Sequence, residues 1–184
     1  PAISADARDL AGADFESLPS PRVMRSHSLF DERFPKVVYM LRDGRDVMVS
    51  YYHHFKKFNH YTGSLLDFIN ADCRPSEWDD HVTSWLLHAP KMAHVYVVRY
   101  EQMLDDTLNT LRPLMKFIGM DATDAQLEAA VNASSFDNMQ KLETDKGLGY
   151  LAACDASVKF VRKGKSGQWR DAFGETEKQA FKRR

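Results

Sequence analysis

Three short stretches of the chain pass from aliphatic residues into polar ones: Val23-Met24-Arg25-Ser26-His27, Val37 through Arg42-Asp43, and Val95 through Arg99-Tyr100-Glu101. As strands of one sheet, their ends would bring arginines, a histidine and a tyrosine to one edge. That edge would be an anion site with a titratable base beside it. A guanidinium offers a planar pair of donors to phosphate or sulfate oxygens, and an imidazole with an ordinary pKa of about 6.5 accepts a proton near neutrality. A fourth stretch, Arg162-Lys163-Gly164-Lys165-Ser166-Gly167, gathers positive charge around two glycines and on its own could touch any anion. Each piece alone has an ordinary structural reading; their combination carries the chemistry.

The elements that must position these residues follow from periodicity. Residues Lys36 to Arg42 form a continuous β-branched and aliphatic run, read as a strand covered on both faces. Asp43-Gly44 is a turn signal, and Asp46 is expected to N-cap a helix running to about Lys57. Helical patterns lie near Ser64–Ala71 and Ser76–Ala89, the second with Trp78, Val82 and Trp85 on one face. His94 to Arg99 is the next strand. Helices follow near Asp106–Ile118, Thr123–Ala133 and Phe136–Thr144, with Pro113 expected to kink or delay the first. The stretch from Asp145 to Gly167 reads as a long loop, and a last helix begins near Glu175. Strands alternating with helices predict an α/β domain with a parallel sheet, and ligands in such sheets bind beyond the carboxyl ends of the strands.

Composition agrees with one domain over residues 1–184, since 43% hydrophobic and 11% aromatic residues can build a core. No apolar run approaches the roughly 18–20 residues of a membrane span. The net charge of −1 argues against general nucleic-acid affinity, while the basic C-terminal stretch points to a local anionic ligand. Cys73 and Cys154 read as ordinary thiols, which suits a reducing, cytoplasmic setting. There is no convincing cluster of metal ligands.

The segment Val38-Tyr39-Met40-Leu41-Arg42-Asp43-Gly44-Arg45-Asp46-Val47-Met48-Val49-Ser50-Tyr51-Tyr52 resembles the cytosolic-type sulfotransferases. These enzymes transfer a sulfuryl group from 3′-phosphoadenosine 5′-phosphosulfate (PAPS) to an acceptor hydroxyl. The resemblance implies a P-loop-NTPase-like, three-layer fold with a central parallel sheet flanked by helices. It also implies that Arg42 and Ser50 hold the 3′-phosphate. Four further segments match in the family's order. Pro21 to His27 resembles the segment that supplies the catalytic histidine, which puts that role on His27, with Arg25 where a lysine is more usual. Arg99 to Met103 resembles the strand end whose tyrosine, here Tyr100, helps hold the nucleotide. Ser134 to Met139 resembles the adenine-contacting segment, with Ser135 as a polar contact and Phe136 as the stacking ring. Arg162 to Trp169 resembles the basic loop over the 3′-phosphate, implying Arg162, Lys163 and the Gly164 N–H as ligands. The Trp78–Trp85 stretch matches a family helix and reads as packing.

The implied co-substrate is PAPS, the product PAP (3′-phosphoadenosine 5′-phosphate), the acceptor a small hydroxyl compound, and no metal is needed. The family also needs an N-terminal Lys-Ser/Thr-Gly-type loop for the 5′-phosphosulfate, and residues 1–20 contain nothing like it. With Pro1 as the first residue, the expectation is that the N-terminal strand and this loop lie upstream of the sequence given. The alternative is a non-catalytic 3′-phosphonucleotide-binding or interaction domain. The family's Lys-x-x-x-Thr-Val dimer pattern is not reproduced around Arg170–Thr176, so the oligomeric state stays open. Phe55, Phe58, Tyr61 and Tyr150 are candidates for lining an apolar acceptor pocket.

Overall fold

A computed structural model describes residues 5–6, 23–58, 61–71, 78–146 and 159–183. Strand β1 (Ala5–Asp6) pairs in parallel with β2 (Met24–Arg25). Strand β3 (Val37–Leu41) pairs in parallel with β4 (Val95–Arg99), Val37 opposite Val95 and Leu41 opposite Arg99. Between these two run α1 (Gly44–Phe58), α2 (Leu65–Asn70), α3 (Trp78–Leu86) and a 3-10 turn at Ala89–Lys91. After β4 come α4 (Tyr100–Asp105), α5 (Thr107–Ile118), α6 (Asp124–Ala133), α7 (Phe136–Lys146), α8 (Trp169–Ala172) and α9 (Glu175–Lys182). The chain is thus an α/β fold whose strands pair in parallel, as the sequence predicts.

Local chemistry explains most boundaries. Ser64 and Thr123 each cap their helix reciprocally, with Asp67 and Gln126 three residues on. Asp106 caps α5, which runs to a left-handed Gly119 and continues through Pro113 without a break. The helix after β3 begins earlier than expected. Asp43, not Asp46, accepts the backbone N–H of Arg45, so α1 starts at Gly44 and Asp46 lies inside its first turn. Helices α4 and α8 are short and carry no periodic signature, and both escape the sequence reading.

Two expectations about the strands need correction. Arg25, Arg42 and Arg99 do not end three strands of one sheet, because β2 joins β1 in a separate two-stranded sheet. Both residues of β2 are exposed, so it has no apolar face to lay on β3 and β4. Nor is β3 covered on both faces: Tyr39 and Leu41 are buried, whereas Met40 is 53% exposed.

Two apolar clusters position the strand ends. Tyr39, Leu41 and Trp85 form one, joined by Trp78, Val82, Phe30 and Phe34, so the three α3 residues expected on one face do pack together. The other joins Met48 and Val49 of α1 to Phe68 and Ile69 of α2, and to Phe173 and Ala180 near the C-terminus. Phe55 and Tyr61, read as acceptor-pocket aromatics, instead pack their ring edges against Phe68 in this second core. Tyr150, Cys73 and Cys154 lie outside the described residues.

Phe68 is fully buried, with Tyr52, Phe55 and Tyr61 around its ring. Phe68→Ala should cost about 3–5 kcal/mol of unfolding free energy in chemical denaturation. A loss under about 1 kcal/mol would show that this cluster is not the core that seats α1.

Candidate functional site

The turn after β3 is built to hold a cation still. Glu101 accepts the backbone N–H of Asp43 at 2.9 Å, tying α4 to the turn. Asp43 in turn grips the Arg45 guanidinium with both carboxylate oxygens. Burial opposes ionisation of Asp43, but the Arg45 bonds outweigh it and hold the carboxyl below its usual range. Gly44 is buried, and a side-chain carbon there would sit 2.8 Å from the Trp78 ring, so the turn can press against α3 only as glycine.

Arg42 follows β3 directly. Its guanidinium lies 4.3 Å from the Tyr100 ring centre, and one terminal nitrogen reaches the Lys165 carbonyl at 3.4 Å. Its Nε is buried with no hydrogen-bond partner among the described residues. A buried donor of this kind is costly to leave unmade, and Arg42 is among the residues that line the cleft described below.

Asp46 does something else. Its carboxylate is 2% exposed and accepts two backbone N–H groups of the basic loop, Gly167 at 2.6 Å and Trp169 at 3.0 Å. Arg45 stacks 3.7 Å over the Trp169 ring and completes the clasp. The other end of the loop is held by Glu143, which accepts the N–H groups of Phe160 and Val161 at 2.6 and 2.8 Å and pairs with buried Lys57 at 3.4 Å. Burial of Glu143 disfavours its charge, but those two N–H groups and Lys57 prevail and lower its pKa.

Held at both ends, the loop supplies residues 159–164 and Gln168 to one wall of a cleft of about 330 Å³. Arg42, Ser50, Tyr100, Arg162, Lys163 and Gly164 all line it. An adjoining cleft shares Arg162, Lys163 and Gln168 and adds Phe136. Gly164 has φ of 58°, and a side-chain carbon on it would fall 2.5 Å from the Phe136 ring. Glycine is required there twice over, by backbone and by space. Ser135 sits just before α7, its carbonyl bonded to the Met139 N–H, and lines neither cleft. Burial lowers the pKa of Arg162, and the positive charge of Arg42 lowers it further. Two guanidinium groups repelling each other across a cleft are what a phosphate dianion would neutralise.

His27 and Arg25 are exposed and are not among the cleft's lining residues. The segment carrying His27 is fastened to α3 instead. Trp85 donates to the Ser28 carbonyl and the Phe30 N–H donates to Ser84, each at 3.1 Å. On the same helix, His81 lies 3.2 Å from the Tyr39 hydroxyl. Its pKa is pushed down first by burial, against the pull of the Ser28 backbone, with the charge of His27 as a further downward effect. The cleft also contains His53, His54, Lys57, Lys159 and Phe160, which the sequence reading did not single out. The signal was present in the spacing, since 53, 54 and 57 follow Ser50 on one face of α1. Among the described residues no group of three His, Cys, Asp or Glu could hold a metal, and no helix is long and apolar enough to cross a membrane.

The arrangement matches a known class: the family model for the sulfotransferase domain aligns with residues 8–184. The chain belongs to the sulfotransferase domain family. It is 28% identical to human sulfotransferase 1C2 over 182 residues, covering 90% of this chain and 61% of that protein. It is 29% identical to mouse sulfotransferase 2B1 over 183 residues, covering 89% and 52% respectively. A solved structure of retinol dehydratase in complex with androsterone and the inactive cofactor PAP superposes with a TM-score of 0.75. That match is at 23% identity over 91% of this chain and 53% of the other, and it shows the fold. The chain therefore spans between about half and two-thirds of the length of these relatives.

Asp46→Ala should free the C-terminal end of the basic loop while leaving the core folded. Amide hydrogen exchange at Gly167 and Trp169 is expected to accelerate at least about tenfold, the loss of one charge-assisted bond each. Unchanged exchange at both amides would show that the loop is held by something other than this carboxylate.

Proposed function

We propose that this chain binds PAPS and transfers its sulfuryl group to the hydroxyl of a small acceptor, releasing PAP. The observation that carries this reading is one cleft lined by Arg42, Ser50, Arg162, Lys163 and Gly164, residues drawn from β3's end, α1 and a distant loop. In the proposal, these residues take the 3′-phosphate. Tyr100 holds Arg42 in orientation, Phe136 carries the adenine in the adjoining cleft, and Ser135 is a polar contact at its edge. The residues fit the group: a buried unpaired Arg42 Nε, mutually repelling guanidinium groups and a glycine-only turn all favour an anion. That PAP occupies a structure of the same fold supports the choice of nucleotide.

His27 is proposed as the general base. It takes the proton from the acceptor hydroxyl as that oxygen bonds to sulfur, while the sulfur–oxygen bond to the nucleotide phosphate breaks. Arg25 balances charge on the sulfuryl oxygens, and no metal enters the step. We read residues 1–184 as a single domain working in the cytoplasm, on the modest number of thiols and the one family model running through nearly the whole chain.

Two measurements test this. Arg42→Ala should weaken PAP about 10- to 100-fold, the worth of a charge-assisted contact, while adenosine 5′-phosphate, which lacks the 3′-phosphate, changes less than about threefold. Equal losses for both would overturn the assignment of Arg42. In the full-length protein, His27→Ala should lower sulfuryl transfer at least about 100-fold, a typical contribution of a general base, with PAP affinity unchanged. Retained turnover would remove His27 from that role.

A further inference from the structure

The helix face that carries Ser50 continues into the same cleft. His53 follows Ser50 by three residues and Lys57 by seven, a spacing that stacks side chains along one face. Lys57 is committed to Glu143, and His54 tilts its ring against Phe58 at 4.4 Å. His53 has other surroundings. It is half-buried, its ring 5.4 Å from that of Tyr52, and it shares the cleft wall with Arg42, Arg162 and Lys163.

The charges facing His53 are all of one sign. Lys159 from the loop and Lys57 from α1 also line the cleft, with Lys56 beside it on the helix. Tyr100, covered by the Arg42 guanidinium, is the remaining titratable group of the wall besides His54. No carboxylate is among the described lining residues; Glu143 lies behind Lys57 and is used by it and by the loop backbone.

We propose that His53 is a further ligand of the 3′-phosphate, taking up a proton as the phosphate enters and giving it back when the nucleotide leaves. This inference rests on reading the cleft as a phosphonucleotide site. Without the ligand, burial foremost, and then the charges of Arg162, Lys56 and Lys163, lower the pKa of the imidazole below its ordinary value. A phosphomonoester brings roughly 1.5 to 2 negative charges near pH 7 and three strong acceptor oxygens. It reverses the sign of the field at the ring and offers the imidazolium a hydrogen-bond partner. The pKa in the complex is then higher than in the free protein. Binding takes up a proton at pH values between the two, and the affinity due to His53 declines as pH rises through the upper one. An arginine at this position would add a permanent repelling charge beside Arg42 and Arg162; a histidine adds its charge only when the phosphate is there to balance it.

The test is calorimetric titration of this chain with PAP near pH 6.5, in buffers of different ionisation enthalpy, comparing the unaltered chain with His53→Gln and His54→Gln. The unaltered chain should take up about half a proton or more relative to His53→Gln, and His54→Gln should behave like the unaltered chain. His53→Gln should weaken PAP about tenfold at pH 6.5 and less than about twofold at pH 8.5, with adenosine 5′-phosphate affected equally little at both. Equal proton uptake and equal affinity in His53→Gln, with PAP still preferred over adenosine 5′-phosphate, would overturn the role of His53 alone, and so would uptake that disappears in His54→Gln. A chain that fails to prefer PAP at all would overturn the nucleotide reading beneath it.

Discussion

The site depends on one buried carboxylate. Arg42, Arg162 and Lys163 are brought to a single cleft although their charges repel, and the loop bearing two of them has little apolar surface to hold it in place. Asp46 supplies what the loop lacks: a buried acceptor with two oxygens, bonded to two of its backbone N–H groups. Because these bonds go to the backbone, they take up none of the loop's cationic side chains. Glu143 repeats the device at the other end, again through backbone N–H groups. The cationic wall is thus clamped by two acidic residues that do not themselves line the cleft, and no carboxylate is among its described lining residues.

Helix α1 links this clamp to the rest of the molecule. Met48 and Val49 point into the core with Phe68 and Phe173, while Ser50, His53 and Lys57 line the cleft. Its start is set by Asp43 and by the bare Gly44 under Trp78. A rotation of the helix would therefore expose core residues and misplace cleft residues together, so packing fixes the cleft's geometry.

Much of this was legible in the sequence. The aliphatic runs of β3 and β4, the helices near Ser64–Ala71 and Thr123–Ala133, and the α3 face of Trp78, Val82 and Trp85 are local patterns, and they appear where periodicity places them. Arg42, Ser50, Arg162, Lys163 and Gly164 were assigned to an anion through the family resemblance, and they do share a cleft. What was not legible depends on distant contacts. Asp46 looks like a helix cap, because nothing nearby reveals that its partners lie 121 and 123 residues away. Lys57 looks like a solvated helix end until Glu143, 86 residues later, buries it. Phe55 and Tyr61 were read toward a ligand and turn toward Phe68 instead, since an aromatic residue's type does not say which way its ring faces.

The contact between Gly164 and Phe136 has a consequence for how a ligand is sensed. The turn that faces the phosphate and the ring proposed for the base press on each other through the space where a side chain is missing. Neither surface can shift without moving the other. A nucleotide filling both would then be held by more than the sum of its fragments, and cutting the molecule in two would cost each half the order that the other half imposes.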